Sequence, residues 1–242
     1  MSEAREGKAA SYFENHRRRT RFPWSLYHGD LANRVAGALY EHGVSPRVLV
    51  VGCGLEPFVE GGPPLAQFWG CDLDDHAIVE CKQLYPTMAD RLATCPGPLE
   101  LPSAGSFKDP FDVVVAKEVV EHLLDPVPWA RMLAARVKVG GELVLTTPNY
   151  GSLSTLPVLE RTVLEWVARR DGFSRADIHP TKFDRARLAA LDVGPGMRLL
   201  RVETTYTGWA LVGRWVSAKG TNEPAGVGPA GVGPAGPADV AT

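Results

Sequence analysis

A run of apolar residues that ends in two closely spaced glycines constrains this chain more than any other feature. Residues 48–51 read Val-Leu-Val-Val, and Gly52 and Gly54 follow with one residue between them. This run predicts a buried strand, and the glycines predict a tight turn whose backbone approaches another group closely. Because open α/β sheets bind ligands at the carboxyl ends of their strands, the turn indicates a bound cofactor. A glycine turn that only reverses the chain is the alternative at this point.

The next predicted strand, residues 66–72, ends in an acidic residue. Asp72 lies 20 residues after Gly52. A carboxylate at this distance from a glycine turn can accept two hydrogen bonds from the hydroxyls of a ribose. Asp72 could instead cap the helix predicted up to Leu84, but Asp74 and Asp75 are better placed for that task. The pattern therefore favours a nucleoside-binding half-fold.

The rest of the chain alternates apolar strand patterns with amphipathic helix patterns. Residues 111–116 form a β-branched run of the kind that is buried on both faces of a parallel sheet. Residues 197–205 and 209–215 are separated by a short turn, which predicts an antiparallel hairpin. The other predicted elements are strands at 99–101 and 142–147 and helices from Asp30 to Gly43 and at 128–137, 156–169 and 185–191.

Composition limits the class of protein and its partners. A chain of 242 residues with 45% hydrophobic content can bury the core of one α/β domain. The net charge of −2 gives no general attraction for nucleic acid or for an anionic membrane surface. The four cysteines have no CxxC spacing, which favours reduced thiols. With no signal peptide and no apolar segment of spanning length expected, we predict a soluble, cytoplasmic protein.

Four segments in order resemble the class I S-adenosylmethionine (SAM)-dependent methyltransferases. The branch they are similar to is that of small-molecule enzymes, including ubiquinone-biosynthesis O-methyltransferases. The segments are residues 48–54, 70–73, 111–122 and 137–149. The resemblance implies an α/β, Rossmann-like fold with a seven-stranded sheet and helices on both faces. Six strands would be parallel, and the C-terminal hairpin would supply one antiparallel strand.

The resemblance also implies a division of the chain. Residues 1–44 would form an N-terminal helical lid, in which aromatic residues are interleaved with a basic run at 16–21. Residues 45–217 would form the methyltransferase domain, with a substrate-side insertion at 150–185. Residues 218–242 are rich in Pro, Gly, Ala and Val, and we expect a disordered tail there.

The same resemblance implies a set of SAM-binding residues. Gly52, Cys53 and Gly54 would approach the methionine end of SAM, Asp72 would hold the ribose and Leu73 would pack on adenine. Ala116 and Lys117 would line the cofactor from the fourth strand. Two residues depart from the family pattern: Val50 stands where an acidic residue is usual, and Glu56 stands where a third glycine is usual.

A second group of residues could activate the acceptor. Glu118, Glu121 and His122 have i, i+3, i+4 spacing, which places them on one helical face if a helix begins by Glu118. Carboxylates and an imidazole suit a divalent cation such as Mg²⁺, Mn²⁺, Fe²⁺ or Zn²⁺. The Glu-x-x-Glu-His pattern resembles metal-binding methyltransferases of two kinds, the ubiquinone enzymes and the small-RNA 3′-terminal 2′-O-methyltransferases. The latter add a downstream histidine, for which His179 is the candidate.

The catalytic candidates are His122 and His179. Alternatively, Glu121 and His122 only pack and hydrogen-bond beneath the cofactor, and His179 is an ordinary loop residue. The predicted function is methyl transfer from SAM to a small molecule, at oxygen in preference to nitrogen. Metal-dependent 2′-O-methylation of an RNA 3′ end and a non-catalytic SAM-binding role are the alternatives. Neither the acceptor nor the oligomeric state follows from the sequence.

Overall fold

The described part of the chain is built on a seven-stranded sheet. The computed structural model describes residues 24–152, 154–159 and 179–218. The strands are β1 (Arg47–Val51), β2 (Gln67–Asp72), β3 (Leu92–Thr94), β4 (Phe111–Lys117), β5 (Val137–Pro148), β6 (Met197–Thr204) and β7 (Ala210–Ser217). The helices are α1 (Trp24–Tyr40), α2 (Asp75–Leu84), α3 (Pro126–Ala134), α4 (Leu156–Leu159) and α5 (Arg185–Ala189). Short 3₁₀ turns lie at Pro86–Arg91, Gly105–Phe107 and Val120–His122.

The strand order confirms the predicted fold class. The order is β3-β2-β1-β4-β5-β7-β6, and β7 is antiparallel to both of its neighbours. The other six strands are therefore parallel, and the β6–β7 hairpin supplies the antiparallel strand. The chain winds outward from β1 in one direction through β2 and β3, then in the other through β4 and β5. The crevice between the carboxyl ends of β1 and β4 is thus the switch point where such sheets bind ligands.

Helices cover both faces of this sheet. Leu31, Val35 and Leu39 of α1 are buried at helical spacing, against Val48 of β1 and Val113 of β4. Burying each such side chain contributes about 1.5–3 kcal/mol. The described part of residues 1–44 is therefore a layer of the core, and the lid function of that segment stays a prediction.

The opposite face is covered by α3 and α5. Trp129 and Leu133 of α3 and Leu188 of α5 pack against Leu49 and Leu143 of the sheet. The two faces therefore bury separate apolar clusters, as expected for strands that are apolar along their whole length.

Two predicted helix boundaries are wrong. The first helix of the described residues, α1, spans Trp24–Tyr40, so Asp30 lies inside it and is not its cap. Its carboxylate instead accepts hydrogen bonds from Arg34 one turn later and from the backbone N–H of Tyr206. The helix predicted at 128–137 spans Pro126–Ala134, because the carboxylate of Asp125 caps its start, and the chain is already extended at residue 137.

Two predicted strand features are also wrong. The third strand lies at Leu92–Thr94 rather than at 99–101, and it pairs with the end of β2. The strand predicted at 142–147 begins at Val137, and Gly140 and Gly141 belong to an irregularity inside it. Phe111 pairs with residue 137 and Val113 with Glu142, so the intervening residues of β5 bulge out. The helix predicted at 156–169 is described for Leu156–Leu159. Its remainder, the basic run at 16–21 and the tail beyond Ala218 lie outside the described residues.

Candidate active site

The glycine turn lies at the carboxyl end of β1 and is fixed by its neighbours. Gly52 and Gly54 have φ angles of 66° and 51°. The N–H groups of Gly52 and Cys53 donate to the carbonyl of Cys71, at 2.8 and 3.1 Å. A Cβ on Gly52 would lie 2.5 Å from Cγ2 of Val119. Both the left-handed backbone and this close approach require glycine at position 52.

Asp72 ends β2 and connects it to the glycine turn. Its Oδ2 accepts the N–H of Gly54 at 2.8 Å, and its Oδ1 accepts the N–H of Asp74 at 3.0 Å. The cap of α2 is Asp74, whose carboxylate accepts the N–H of His76. The neighbouring side chain, Leu73, is 57% exposed at the ligand edge of the sheet. A fixed carboxylate beside an exposed apolar side chain fits a nucleoside.

Cys53 contributes its backbone to the turn, while its buried side chain lies beside Gly70 of β2. A hydrogen bond with Cys81, together with burial, raises the pKa of the Cys53 thiol. The thiol is therefore neutral and faces the core. All four cysteines are free and buried.

The end of β4 supplies the other cofactor candidates. Ala116 is buried between Val51 of β1 and Leu145 of β5. Nζ of Lys117 lies 3.4 Å from Oε2 of Glu56, so the residue that replaces the usual third glycine forms an ion pair with β4. Such a partly exposed pair contributes about 0.2–1 kcal/mol.

Glu118 does not begin a helix, contrary to the sequence expectation. Its φ is 53°, and its N–H bonds the backbone oxygen of Thr146 in β5 at 3.1 Å. Its carboxylate accepts a hydrogen bond from the hydroxyl of Tyr27 and lies 3.9 Å from Nδ1 of His28. Strand pairing with β5 therefore overrides the helical pattern, and the carboxylate of Glu118 faces α1.

The structure brings together three of the four metal candidates. Potential ligand atoms of Glu121, His122 and His179 all lie within 4.8 Å of one another. The centroids of the two imidazole rings are 4.9 Å apart, and the ring planes are inclined by 60°. Glu121 and His179 are buried and His122 is exposed. Within the described ranges, Glu118 is not part of this cluster.

Hydrogen bonds from a distant segment place His179 in this cluster. The N–H of Thr181 donates to the carbonyl of Glu121 at 3.2 Å, and its hydroxyl donates to the carbonyl of Leu123 at 2.5 Å. The hydroxyl of Tyr150 lies 2.7 Å from Nδ1 of His179. Tyr150 was missed by the sequence analysis. Its signal was its place two residues after the end of a buried strand, at the ligand edge.

The donor set fits a divalent transition metal better than Mg²⁺. Two imidazoles and one carboxylate are ligands of Zn²⁺, Fe²⁺ or Mn²⁺, whereas Mg²⁺ prefers oxygen donors. Ligand atoms in a tetrahedral zinc site are about 3.4 Å apart, given bond lengths near 2.1 Å. A spread of up to 4.8 Å therefore requires some closure. The exposed side chain of His122 can supply that closure by a rotamer change.

The seven-stranded sheet and the glycine turn after β1 are those of the class I SAM-dependent methyltransferase fold. A family model described as the methyltransferase domain matches residues 17–192, and the chain belongs to this family. Together these findings confirm the prediction of a SAM-dependent methyltransferase with SAM as its cofactor. A comparison with curated protein sequences gives no match.

Solved structures of methyltransferases share the fold. The magnesium protoporphyrin IX methyltransferase of Synechocystis PCC 6803, with bound SAH, is 16% identical with a TM-score of 0.59; the match covers 90% of this chain and 99% of that one. A SAM-dependent methyltransferase of Clostridium acetobutylicum ATCC 824 is 11% identical with a TM-score of 0.62, covering 87% and 100%. The N-methyltransferase NodS of Bradyrhizobium japonicum WM9, in complex with S-adenosyl-L-homocysteine, is 15% identical with a TM-score of 0.55, covering 82% and 93%.

None of the helices in the described ranges combines the length and the apolar character that a membrane crossing requires.

Proposed function

We propose that this protein transfers the methyl group of SAM to an oxygen atom of a small-molecule acceptor. The observation that carries the proposal is the cluster of Glu121, His122 and His179 beside the glycine turn. Val119, two residues before Glu121, touches Gly52, so the cluster lies next to the turn. An oxygen nucleophile needs its proton removed, and imidazole is the side chain most often used for proton transfer.

The cofactor would lie across the carboxyl ends of β1, β2 and β4. The turn from Gly52 to Gly54 would approach the methionine end, and Asp72 would accept the ribose hydroxyls. Leu73 would cover the adenine, and Ala116 and Lys117 would line the other side. The exposure of Leu73 and the two backbone bonds that orient Asp72 support this assignment.

The acceptor would enter between the segments that flank this site. Tyr27 and His28 of the proposed lid (1–44) contact Glu118, and Tyr150 and His179 belong to the proposed substrate-side segment (150–185). Methyl transfer is an in-line displacement, so these segments would align the acceptor with the methyl group. His122, the exposed member of the cluster, would take the proton of the acceptor hydroxyl.

A divalent cation is the second part of the proposal. Glu121, His122 and His179 would hold it, and Glu118 would not, because its carboxylate faces α1. A cation at this place supplies Lewis acidity that lowers the pKa of a bound hydroxyl. In that case His122 serves as a ligand, and proton removal falls to solvent.

Product mass after incubation with SAM tests the reaction. Phenols, catechols and amines are offered to the wild-type chain, to His122→Ala and to His76→Ala. His76 is 83% exposed in α2 and is not a member of the cluster, so His76→Ala is the matched control. We expect methylated phenols or catechols, a 10²- to 10⁴-fold slower reaction in His122→Ala and no change in His76→Ala. Equal rates in all three proteins would refute the role of His122.

Chelation separates the two roles of the cluster. If the cation takes part, exhaustive EDTA treatment abolishes turnover and Mn²⁺ restores it, while SAM still raises the melting temperature. Full activity after EDTA, with no metal in the purified protein, would refute the cation and leave His122 as the base.

A further inference from the structure

The side chains of Tyr150 and His179 form a hydrogen bond in addition to their ring contact. The Tyr150 hydroxyl and Nδ1 of His179 are 2.7 Å apart, and His179 is 8% exposed. The N–H of Tyr150 donates to the carbonyl of Phe183 at 2.7 Å, so backbone pairing fixes the tyrosine beside the histidine segment. Nζ of Lys182 lies 5.5 Å from the centroid of the Tyr150 ring, within the range of a cation–π contact.

This hydrogen bond determines which nitrogen of His179 is available. An imidazole bonded through Nδ1 presents Nε2 on the other side of its ring. The centroid of the His122 ring lies 4.9 Å from that of His179, and the centroid of the Tyr150 ring lies 6.3 Å from it. Because Tyr150 occupies Nδ1, the atom that His179 can offer to Glu121 and His122 is Nε2.

We propose that Tyr150 is a positioning residue for His179: it fixes the imidazole through Nδ1 and reserves Nε2 for a divalent cation shared with Glu121 and His122. This inference rests on the cation site of the proposed function and adds a residue that acts through a ligand. Partners of this kind orient a metal-bound imidazole, and their loss typically weakens metal affinity 10- to 100-fold.

A hydroxyl suits this task because it both donates and accepts hydrogen bonds. With the cation bound, Nδ1–H donates to the Tyr150 oxygen, and the Nε2 lone pair faces the cation. Without the cation, the Tyr150 hydroxyl donates to Nδ1, and Nε2–H faces the carboxylate of Glu121. Tyr150 therefore supports both tautomers of His179, and solvent exchanges the ring proton between them.

Binding of Mn²⁺ tests the proposal without any measurement of turnover. The full chain is titrated with Mn²⁺ and the free ion is followed by electron paramagnetic resonance, for the wild type, Tyr150→Phe and Tyr206→Phe. Mn²⁺ avoids thiol ligands, so the four cysteines do not compete. Tyr206 is 94% exposed, which makes Tyr206→Phe the matched control. We expect a Kd that is 10- to 100-fold higher in Tyr150→Phe and unchanged in Tyr206→Phe.

Ring ¹⁵N spectra of the cation-free protein give a second readout. In the wild type, Nδ1 of His179 accepts a hydrogen bond from the Tyr150 hydroxyl, and Tyr150→Phe removes that bond, so the Nδ1 resonance should move toward the position of a ring nitrogen without a hydrogen bond. An unchanged His179 spectrum together with an unchanged Mn²⁺ affinity in Tyr150→Phe would overturn the positioning role.

Other outcomes separate this inference from the proposed function. If Tyr150→Phe loses the SAM-induced rise in melting temperature together with Mn²⁺ binding, general damage explains both and the positioning role fails. If the wild type binds no Mn²⁺ up to millimolar concentration but still responds to SAM, the cation site fails and this inference with it. The base role of His122 in methyl transfer would survive that result.

Discussion

A buried ion pair between β7 and β5 gives the sharpest prediction about stability. Arg214 and Glu142 are 1% and 2% exposed, and Nη2 of Arg214 lies 2.7 Å from Oε2 of Glu142. The guanidinium also donates to Glu41 at 2.8 Å, and Nε2 of His42 lies 3.3 Å from Oε2 of Glu142. Glu142 pairs with Val113 near the start of β4, so the pair lies away from the candidate active site at the carboxyl ends of the strands.

Replacing Arg214 with methionine keeps most of the side-chain length and removes the charge. The carboxylate of Glu142 then stays buried without its main partner. Breaking a buried pair in this way costs about 3–5 kcal/mol. For a domain of this size, 1 kcal/mol changes the melting temperature by about 2–4 °C, so the expected fall is about 6–20 °C.

Arg201→Met is the matched control. Arg201 is 50% exposed and forms surface ion pairs with Glu41 and Glu203. Such pairs contribute at most about 1 kcal/mol, so its loss should lower the melting temperature by less than about 4 °C. The double variant Arg214→Met with Glu142→Met removes both buried charges and should recover most of the lost stability.

The pH dependence has a definite sign. Burial by itself would raise the pKa of Glu142, but hydrogen bonds from Arg214 and His42 outweigh it and lower that pKa. A lowered folded-state pKa stabilises the protein above the unfolded value of about 4.3, and that stability is lost as the pH falls through the folded value. Without Arg214, burial prevails and the carboxyl prefers to be protonated. The difference between wild type and Arg214→Met should therefore be large at pH 7 and shrink in acid.

Urea unfolding at pH 7 and at acidic pH, with calorimetry at pH 7, measures all of these quantities. SAM binding at low temperature should be unchanged in Arg214→Met, because the pair is distant from the glycine turn. If Arg214→Met costs no more than Arg201→Met, or if its cost grows in acid, the reasoning from burial and pairing is refuted.

Three further predictions concern the site. SAM at 100 times its Kd should stabilise the wild type by about 2.7 kcal/mol, and Asp72→Ala should lose this effect in a thermal-shift assay. An undiminished shift in Asp72→Ala would show that Asp72 does not bind the ribose. Gly52→Ala should lower the free energy of unfolding in urea by more than about 1–2 kcal/mol, because backbone strain adds to the clash with Val119. Gly43 has a φ of 92° and open space around it, so Gly43→Ala should show the strain alone. Equal costs of the two variants would contradict the close approach at Gly52. Short RNA should bind weakly on filters, with little salt dependence; steep salt-sensitive binding would instead favour the RNA alternative.

Much of the fold could be predicted because its signals are local. The apolar runs at 48–51 and 111–116 are strands because such residues must be buried on both faces, and the glycines after the first run end it. Gly54 and Asp72 could be expected to meet, because parallel strands β1 and β2 end at the same edge of the sheet. Their hydrogen bond at 2.8 Å follows from that order.

The least predictable part of the candidate site is the stretch after β4. The spacing of Glu118, Glu121 and His122 is that of a helical face, and no local rule contradicts it. In the folded chain, Glu118 bonds Thr146 of β5 and the hydroxyl of Tyr27 in α1. These contacts outweigh the helical pattern and separate one predicted ligand from the other two.

The sequence by itself determined the class of fold, the glycine turn and the acidic residue beside it, because each depends on residues in one strand and its adjoining turn. The tertiary structure decided which side chains from distant parts of the chain meet. His179 reaches Tyr150 across 29 residues, and Arg214 reaches Glu142 across 72. Such contacts depend on strand order and on the path of the loops. No local window of sequence contains that information.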